Sequence, residues 1–159
     1  MQQQEIERKI LSSFANVTKA LGYSDVHGKI IGALLIEGKP LSLQELSKKI
    51  NYSLAMTSLS LDFLELTGVI KKIKESGDRK LYITIDGDMI DCLRKIVLYK
   101  TQRTVEDSLA EFKNLEEAAT KLRGEKRRKL VRTIKILEKE LLRLKKYLAI
   151  LSDVEVPRD

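Results

Sequence analysis

Hydrophobic positions recur at helical spacing along most of the chain. Ile6, Ile10, Phe14, Val17 and Leu21 fall about one turn apart, which predicts an amphipathic helix over residues 4–21. Gly22, followed by Tyr23, Ser24 and Asp25, ends it, and Ser24 or Asp25 can cap the next helix. Residues 26–36 are apolar nearly all round (Ile30, Ile31, Ala33, Leu34, Leu35, Ile36), as expected of a helix at the centre of a core. Gly38, Lys39 and Pro40 then break the chain. LSLQELSKKI, residues 41–50, opens on a capping-box pattern, with Ser42 as N-cap and Glu45 three residues later. Asn51-Tyr52 makes a short turn. SLAMTSLSLDFLEL, residues 53–66, is a further helix capped by Ser53, with Leu54, Leu59, Leu61, Phe63, Leu64 and Leu66 on a wide apolar side.

At residue 69 the period changes from helical to alternating. Val69, Lys71, Ile73 and Glu75 interleave with Ile70, Lys72 and Lys74, and Leu81, Ile83 and Ile85 alternate with Tyr82, Thr84 and Asp86. Ser76-Gly77-Asp78 lies between the two runs, so the pattern predicts a β-hairpin. Two strands alone are marginal in water, and the hairpin must lean on the helices before it. From Asp88 onward helix resumes, in two long pieces broken near Gly124. In the second, Leu130, Ile134, Leu137, Leu141, Leu144, Leu148 and Leu151 form an a/d heptad seam, a pattern for helix–helix packing. The first piece offers a less regular stripe of Val105, Leu109, Phe112, Leu115, Ala119 and Leu122.

The predicted fold is therefore mainly α with a small β-hairpin, a winged helix-turn-helix with long flanking helices. Residues 1–22 read as an N-terminal dimerisation helix, 23–86 as the winged domain, and 87–159 as a C-terminal helical dimerisation region. A leucine seam of this length is not expected to stay in water, so Ile6, Ile10, Phe14, Leu130, Ile134, Leu137, Leu141, Leu144 and Leu148 are the candidate dimerisation residues.

Charge adds a partner class. The chain of 159 residues carries a net charge of +7. The excess is uneven: residues 123–159 hold 12 basic and 6 acidic side chains, whereas 86–122 hold 6 and 8. A basic chain with local clusters points to a polyanionic partner. The longest runs without charge, 52–61 and 30–36, are far short of the roughly 20 apolar residues of a membrane span. MQQQEIERKI lacks the layout of a secretion signal, and the single cysteine, Cys92, fits a reducing cytoplasm. The expectation is a cytoplasmic protein with no membrane contact.

The helix pair followed by a charged hairpin suits duplex DNA. A helix fits the major groove, and a hairpin tip with Arg can enter the narrow, electronegative minor groove. The tip reads ESGDRK, residues 75–80, and Asp78 beside Arg79 can hold the guanidinium in a fixed pose. Residues 26–85 resemble the winged-helix regulators of the MarR superfamily, most closely its GbsR branch. The resemblance rests on VHGKIIGALLIEGKPLSLQELSKKI, SLAMTSLSLDFLELTGVI and KKIKESGDRKLY. Ser53, Ser58, Ser60 and Leu61 match that branch's reading helix, and Gly77, Asp78, Arg79, Lys80 and Tyr82 match its wing. The helices before and after fit its dimerisation region. The resemblance implies a homodimeric, double-stranded-DNA-binding transcriptional regulator with helix 53–66 in the major groove and wing 71–82 at the minor groove or backbone.

The departures lie in the reading helix. Leu54 and Met56 stand where the branch has Lys and Asn, and Asp62-Phe63 replaces a basic pair. The candidate DNA contacts are Ser42, Gln44, Lys48, Lys49, Ser53, Leu54, Met56, Thr57, Ser58, Ser60, Lys71, Lys72, Lys74, Asp78, Arg79 and Lys80. With no Lys or Arg on 53–66, electrostatic attraction is expected to shift to the wing and to the preceding helix. Two alternatives stay open: a protein-binding winged helix that serves assembly, and a weakly specific, chromosome-coating DNA binder. The basic run KLRGEKRRKLVR, 121–132, either pairs with the acidic stripe of 106–117 or meets an outside partner.

Other chemistry finds little support. His27 is the only histidine and sits at a helix start, where a cap or surface role is the expectation. No cysteine–histidine cluster suits zinc, and Gly22, Gly28 and Gly32 follow no phosphate-loop spacing. Asp86, Asp88 and Asp91 complement a helix dipole. Some members of the resembled branch sense quaternary ammonium compounds, which need an aromatic cage. Phe14, Tyr23, Tyr99, Phe112 and Tyr147 are dispersed, so a small-molecule effector is left open and unassigned. No cofactor and no metal is expected, and no enzyme.

Overall fold

The computed structural model describes residues 2–74, 80–155 and 157. The helices are α1 (Gln3–Ala20), α2 (Asp25–Glu37), α3 (Leu43–Ile50), α4 (Leu54–Leu66), α5 (Met89–Thr120) and α6 (Gly124–Asp153), and the strands are β1 (Leu41–Ser42), β2 (Ile70–Lys74) and β3 (Leu81–Ile85). The chain divides into two compact units, Met1–Lys95 and Ile96–Asp159, with the boundary inside α5.

In the first unit, α2 is the central helix, as its all-round apolar pattern predicts, and Ile30, Ile31, Ala33 and Leu34 are buried. It packs against α1 at unusually close range. A Cβ on Gly28 would lie 2.3 Å from the Phe14 carbonyl oxygen and 2.6 Å from Thr18 Oγ1, so only glycine permits this crossing. Gly32 sits under Leu11 and Phe14 one turn further on. Two of the three glycines that follow no phosphate-loop spacing, Gly28 and Gly32, thus serve helix packing.

The predicted strands β2 and β3 pair antiparallel, with Ile70 opposite Ile85 and Lys74 opposite Leu81. A third strand joins it: Leu41 and Ser42 pair antiparallel with Ile83 and Tyr82, giving the order β1-β3-β2. The sequence gives residues 41–50 to helix, but the helix starts only at Leu43. Two residues are too few to show an alternating pattern, and the capping signal at Ser42 hides them. Beneath the sheet, Leu46, Leu64, Val69, Ile70 and Ile83 close the core. Lys95 Nζ, on the first turns of α5, donates to the carbonyls of Gly68 at 2.6 Å and Asp86 at 2.8 Å, which ties the end of α4 to the end of β3.

The second unit is an antiparallel pair, the remainder of α5 with α6. Leu98, Val105 and Leu148 form its core, with Leu109, Leu141 and Leu151 packed against them. Lys145 reaches Glu106 at 2.9 Å and Lys135 reaches Glu116 at 3.5 Å. The heptad seam is divided. Ile134 and Leu148 are buried and Leu141 is packed within the pair, whereas Leu130, Leu137 and Leu144 remain 47%, 46% and 38% exposed.

Candidate nucleic-acid interface

The helix-turn-helix is built by local signals. The capping box on α3 is complete: Ser42 Oγ accepts from Glu45 N at 3.3 Å, and Ser42 N donates to Glu45 Oε2 at 2.8 Å. The Ser42 hydroxyl donates to the same carboxylate and, with the backbone bond, holds the Glu45 pKa below its ordinary value. α3 ends at Asn51 in the left-handed conformation, φ +59°, which turns the chain sharply toward α4. Ser47 Oγ donates to the Tyr52 carbonyl at 2.6 Å, and Tyr52 OH donates to Asp25 Oδ2 at 2.9 Å. Lys29 Nζ sits 4.8 Å from the Tyr52 ring centroid. The turn is thereby pinned to α2. Ser53 caps α4, its Oγ accepting from Met56 N at 3.2 Å.

The candidate contacts on α4 divide between surface and core. Leu54 and Met56 are exposed with Ala55 beside them, Leu59 is 67% exposed, and Ser58 is half-buried. Thr57 is fully buried and donates to the Ser53 carbonyl at 2.9 Å, and Ser60 is buried. The hydroxyls of Thr57 and Ser60 therefore turn inward. The outward surface of the first turns is methyl and thioether, with Ser53 and Ser58 at its edges.

The basic candidates divide in the same way. Lys48 and Gln44 on α3 and Lys74 and Lys80 on the hairpin are exposed. Lys49, one residue from Lys48, instead bridges Glu37 at 2.6 Å and Glu7 at 3.0 Å. Partial burial pulls its pKa down, but the two carboxylates outweigh that and raise it, so its charge is held by α1 and α2. Lys72 on β2 bonds Asp62 Oδ1 at 2.8 Å and Glu65 Oε2 at 2.7 Å, and these partners raise its pKa. The two acidic residues of α4 thus share one strand lysine, which pairs with both and offsets one of their two charges. Lys71 pairs more loosely with Asp86 at 3.3 Å, both exposed. Asp78 and Arg79 lie outside the described residues.

The ion-pair partners of Lys49 and Lys72 and the packing of His27 escape the sequence reading. The partners of Lys49 lie 42 and 12 residues away, and Lys72 meets Asp62 across ten residues of intervening chain, so no local pattern announces them. His27 is half-buried, with its ring in an aromatic cluster. Its ring lies 4.8 Å from Phe63 and 6.1 Å from Tyr23, and Tyr23 and Phe63 are 5.5 Å apart. Its Nδ1 is buried with no hydrogen-bond partner among the described residues. Burial lowers the His27 pKa, against a smaller opposing pull from Asp25. Cys92 is a buried thiol, 3.8 Å from the Val69 carbonyl, with its pKa pushed up to about 11 by burial.

Of the candidate dimerisation residues, Ile6 and Ile10 are exposed, while Phe14 is half-buried against Gly32. The acidic stripe of α5 finds its cations at Lys135 and Lys145, beyond the basic run. Among the described residues no ion pair joins 126–132 to 106–117. No group of three metal-ligating side chains occurs among the described residues, and none of their helices is long and apolar enough to cross a membrane.

The arrangement of helices and hairpin recurs among solved structures. The chain is similar to a crystal structure described as a transcriptional regulator, with a TM-score of 0.66 and 16% identity over 90% of this chain and 92% of that one. At that identity the likeness is one of fold. NadR in complex with 4-hydroxyphenylacetate aligns at TM-score 0.45 and 18% identity, over 95% of this chain and 89% of that one. A MepR variant from S. aureus bound to an oligodeoxyribonucleotide aligns at 0.45 and 16%, over 88% and 93%. No protein-family model matches the chain, and no curated protein does.

Proposed function

We propose that the protein is a double-stranded-DNA-binding transcriptional regulator of the MarR type that acts as a homodimer. The observation that carries this reading is the state of α4. Its first turns expose Leu54, Ala55 and Met56, and the exposed carboxylates of its C-terminal half are paired to Lys72. A helix so disposed, behind a capped α3 and beside a hairpin, can enter a major groove without unpaired acid against phosphate. Leu54, Met56 and Leu59 suit thymine methyls, and Lys48, Lys74 and Lys80 suit phosphates. Arg79 is assigned to the minor groove from the sequence. Dimerisation is supported by Leu130, Leu137 and Leu144, which stay exposed at intervals of seven. An effector is not assigned.

Gel-shift titration of genomic fragments tests this reading. A regulator retains particular fragments over random competitor, and Arg79→Ala weakens retention several-fold. A second reading, a protein-binding winged helix, draws on Leu59 and Leu66, which are 67% and 69% exposed on α4. Under that reading no duplex is retained at moderate salt.

A further inference from the structure

α6 has two faces of opposite character. One carries the leucine seam. The other carries Arg128, Arg132, Lys135, Lys139 and Lys146, spaced at four, three, four and seven residues, so that they fall on one stripe. At 1.5 Å rise per residue the stripe runs about 27 Å. Residue 142, the remaining position on that ladder, is Leu142, so no carboxylate interrupts the row. All five cations are exposed. Among the described residues only Lys135 of the five is paired, to Glu116 at 3.5 Å, and a pair that exposed contributes little. An open groove of about 1110 Å³ runs beside the stripe, with Arg128, Arg132, Lys135 and Lys139 on its lining. That is larger than the ~300–1,000 Å³ of an ordinary small-ligand pocket, and it is open along its length.

Five like charges in a row repel one another, and a polyanion laid along them relieves the repulsion. The first four cations stand about 4.5–6 Å apart along the helix, and Lys146 about 10.5 Å beyond Lys139. Each strand of duplex offers a phosphate every ~3.4 Å of axis, so the row can neutralise a regular series of them. In the winged unit, by contrast, two of the candidate cations, Lys49 and Lys72, are committed to carboxylates within it.

We propose that this α6 ridge is a second, sequence-independent contact surface for the phosphate backbone of double-stranded DNA. The inference rests on the DNA-binding reading of the winged unit and assigns to α6 most of the salt-dependent part of binding. The counterions it releases set how steeply affinity falls with salt, while α4 sets which sequence is preferred.

The test is fluorescence anisotropy of the full chain on a random-sequence duplex, titrated between about 50 and 200 mM salt. With Arg128→Gln, Arg132→Gln, Lys135→Gln and Lys139→Gln together, the log–log salt slope becomes shallower by about 3.6, at roughly 0.9 per phosphate contact. Single Arg132→Gln lowers it by about 1, and Arg132→Lys leaves it unchanged. The single variants keep the test decisive should the quadruple one fold poorly. An unchanged slope in the Gln variants, with wild-type binding intact, overturns the ridge alone. No duplex binding by the wild type overturns the DNA reading as well. Anionic lipid vesicles taken up through the same residues, with duplex binding unaffected, assign the ridge to a membrane surface instead and overturn the proposal.

Discussion

Lys72 Nζ on β2 stands 2.8 Å from Asp62 Oδ1 on α4, and Glu65 completes the clamp from one turn further along the helix. The acid that argues against a DNA-reading helix is therefore paired, and half offset in charge, from the neighbouring strand. Lys72→Ala leaves two carboxylates uncompensated near the phosphates. Affinity for duplex then drops by about 1 kcal/mol, roughly fivefold, although no DNA-facing atom has been removed. Adding Asp62→Asn and Glu65→Gln to that variant restores it. Equal affinity in wild type and Lys72→Ala would show that the clamp has no electrostatic part in binding.

Lys48 and Lys49 are adjacent in sequence and opposite in expected effect. Lys48→Gln removes a phosphate partner and lowers the log–log salt slope by about 0.9 with little change in melting temperature. Lys49→Gln leaves Glu7 and Glu37 without their shared cation. It destabilises the first unit by about 1 kcal/mol, between the values for exposed and buried pairs, and leaves the salt slope in place. Denaturant melts and anisotropy on the two variants check the contrast.

This pair shows how far the sequence reaches. Capping boxes, the Gly38 and Asn51 turns, and the switch from period 3.6 to period 2 are written within a few residues, and the helices and hairpin follow from them. Which lysines remain available for DNA is not so written. Lys49, Lys72 and the inward hydroxyls of Thr57 and Ser60 are settled by partners that tertiary packing brings from elsewhere in the chain. The division of the leucine seam has the same origin, because heptad spacing marks all its positions alike, while α5 covers Ile134, Leu141, Leu148 and Leu151 and leaves Leu130, Leu137 and Leu144 exposed.

Acid is expected to weaken the first unit through His27. Burial against Phe63 and Tyr23 holds its pKa below the ordinary 6.5, so below that pH the unfolded chain takes up a proton that the folded chain refuses. Stability is therefore highest above pH 6.5 and falls from there toward the lower folded-state value. His27→Phe removes this slope. The carboxylates of Glu7, Asp25, Glu45 and Glu106, with lowered pKa values, take over only at more acid pH. Thermal melts at intervals between about pH 5 and 7.5 measure the slope. A flat wild-type profile would contradict the buried imidazole.

Gly28→Ala tests the α1–α2 crossing. Alanine is the better helix former by about 1 kcal/mol, but its Cβ would meet the Phe14 carbonyl at 2.3 Å. Forcing the helices apart costs about 2–3 kcal/mol, so the net effect is a loss of stability seen in denaturant melts. A neutral or stabilised variant would mean that α1 moves aside freely.

The most direct test of the central claim is selection of genomic DNA fragments by the wild type and by a Leu54→Glu/Met56→Glu variant. Both positions are exposed, so the fold is expected to tolerate the change. The account predicts that the wild type enriches a roughly palindromic sequence with half-sites about one helical turn apart. It also predicts that the variant enriches none while keeping its melting temperature. Absence of any enriched sequence with the wild type, or the same enrichment by the variant, would contradict a DNA-reading role for α4.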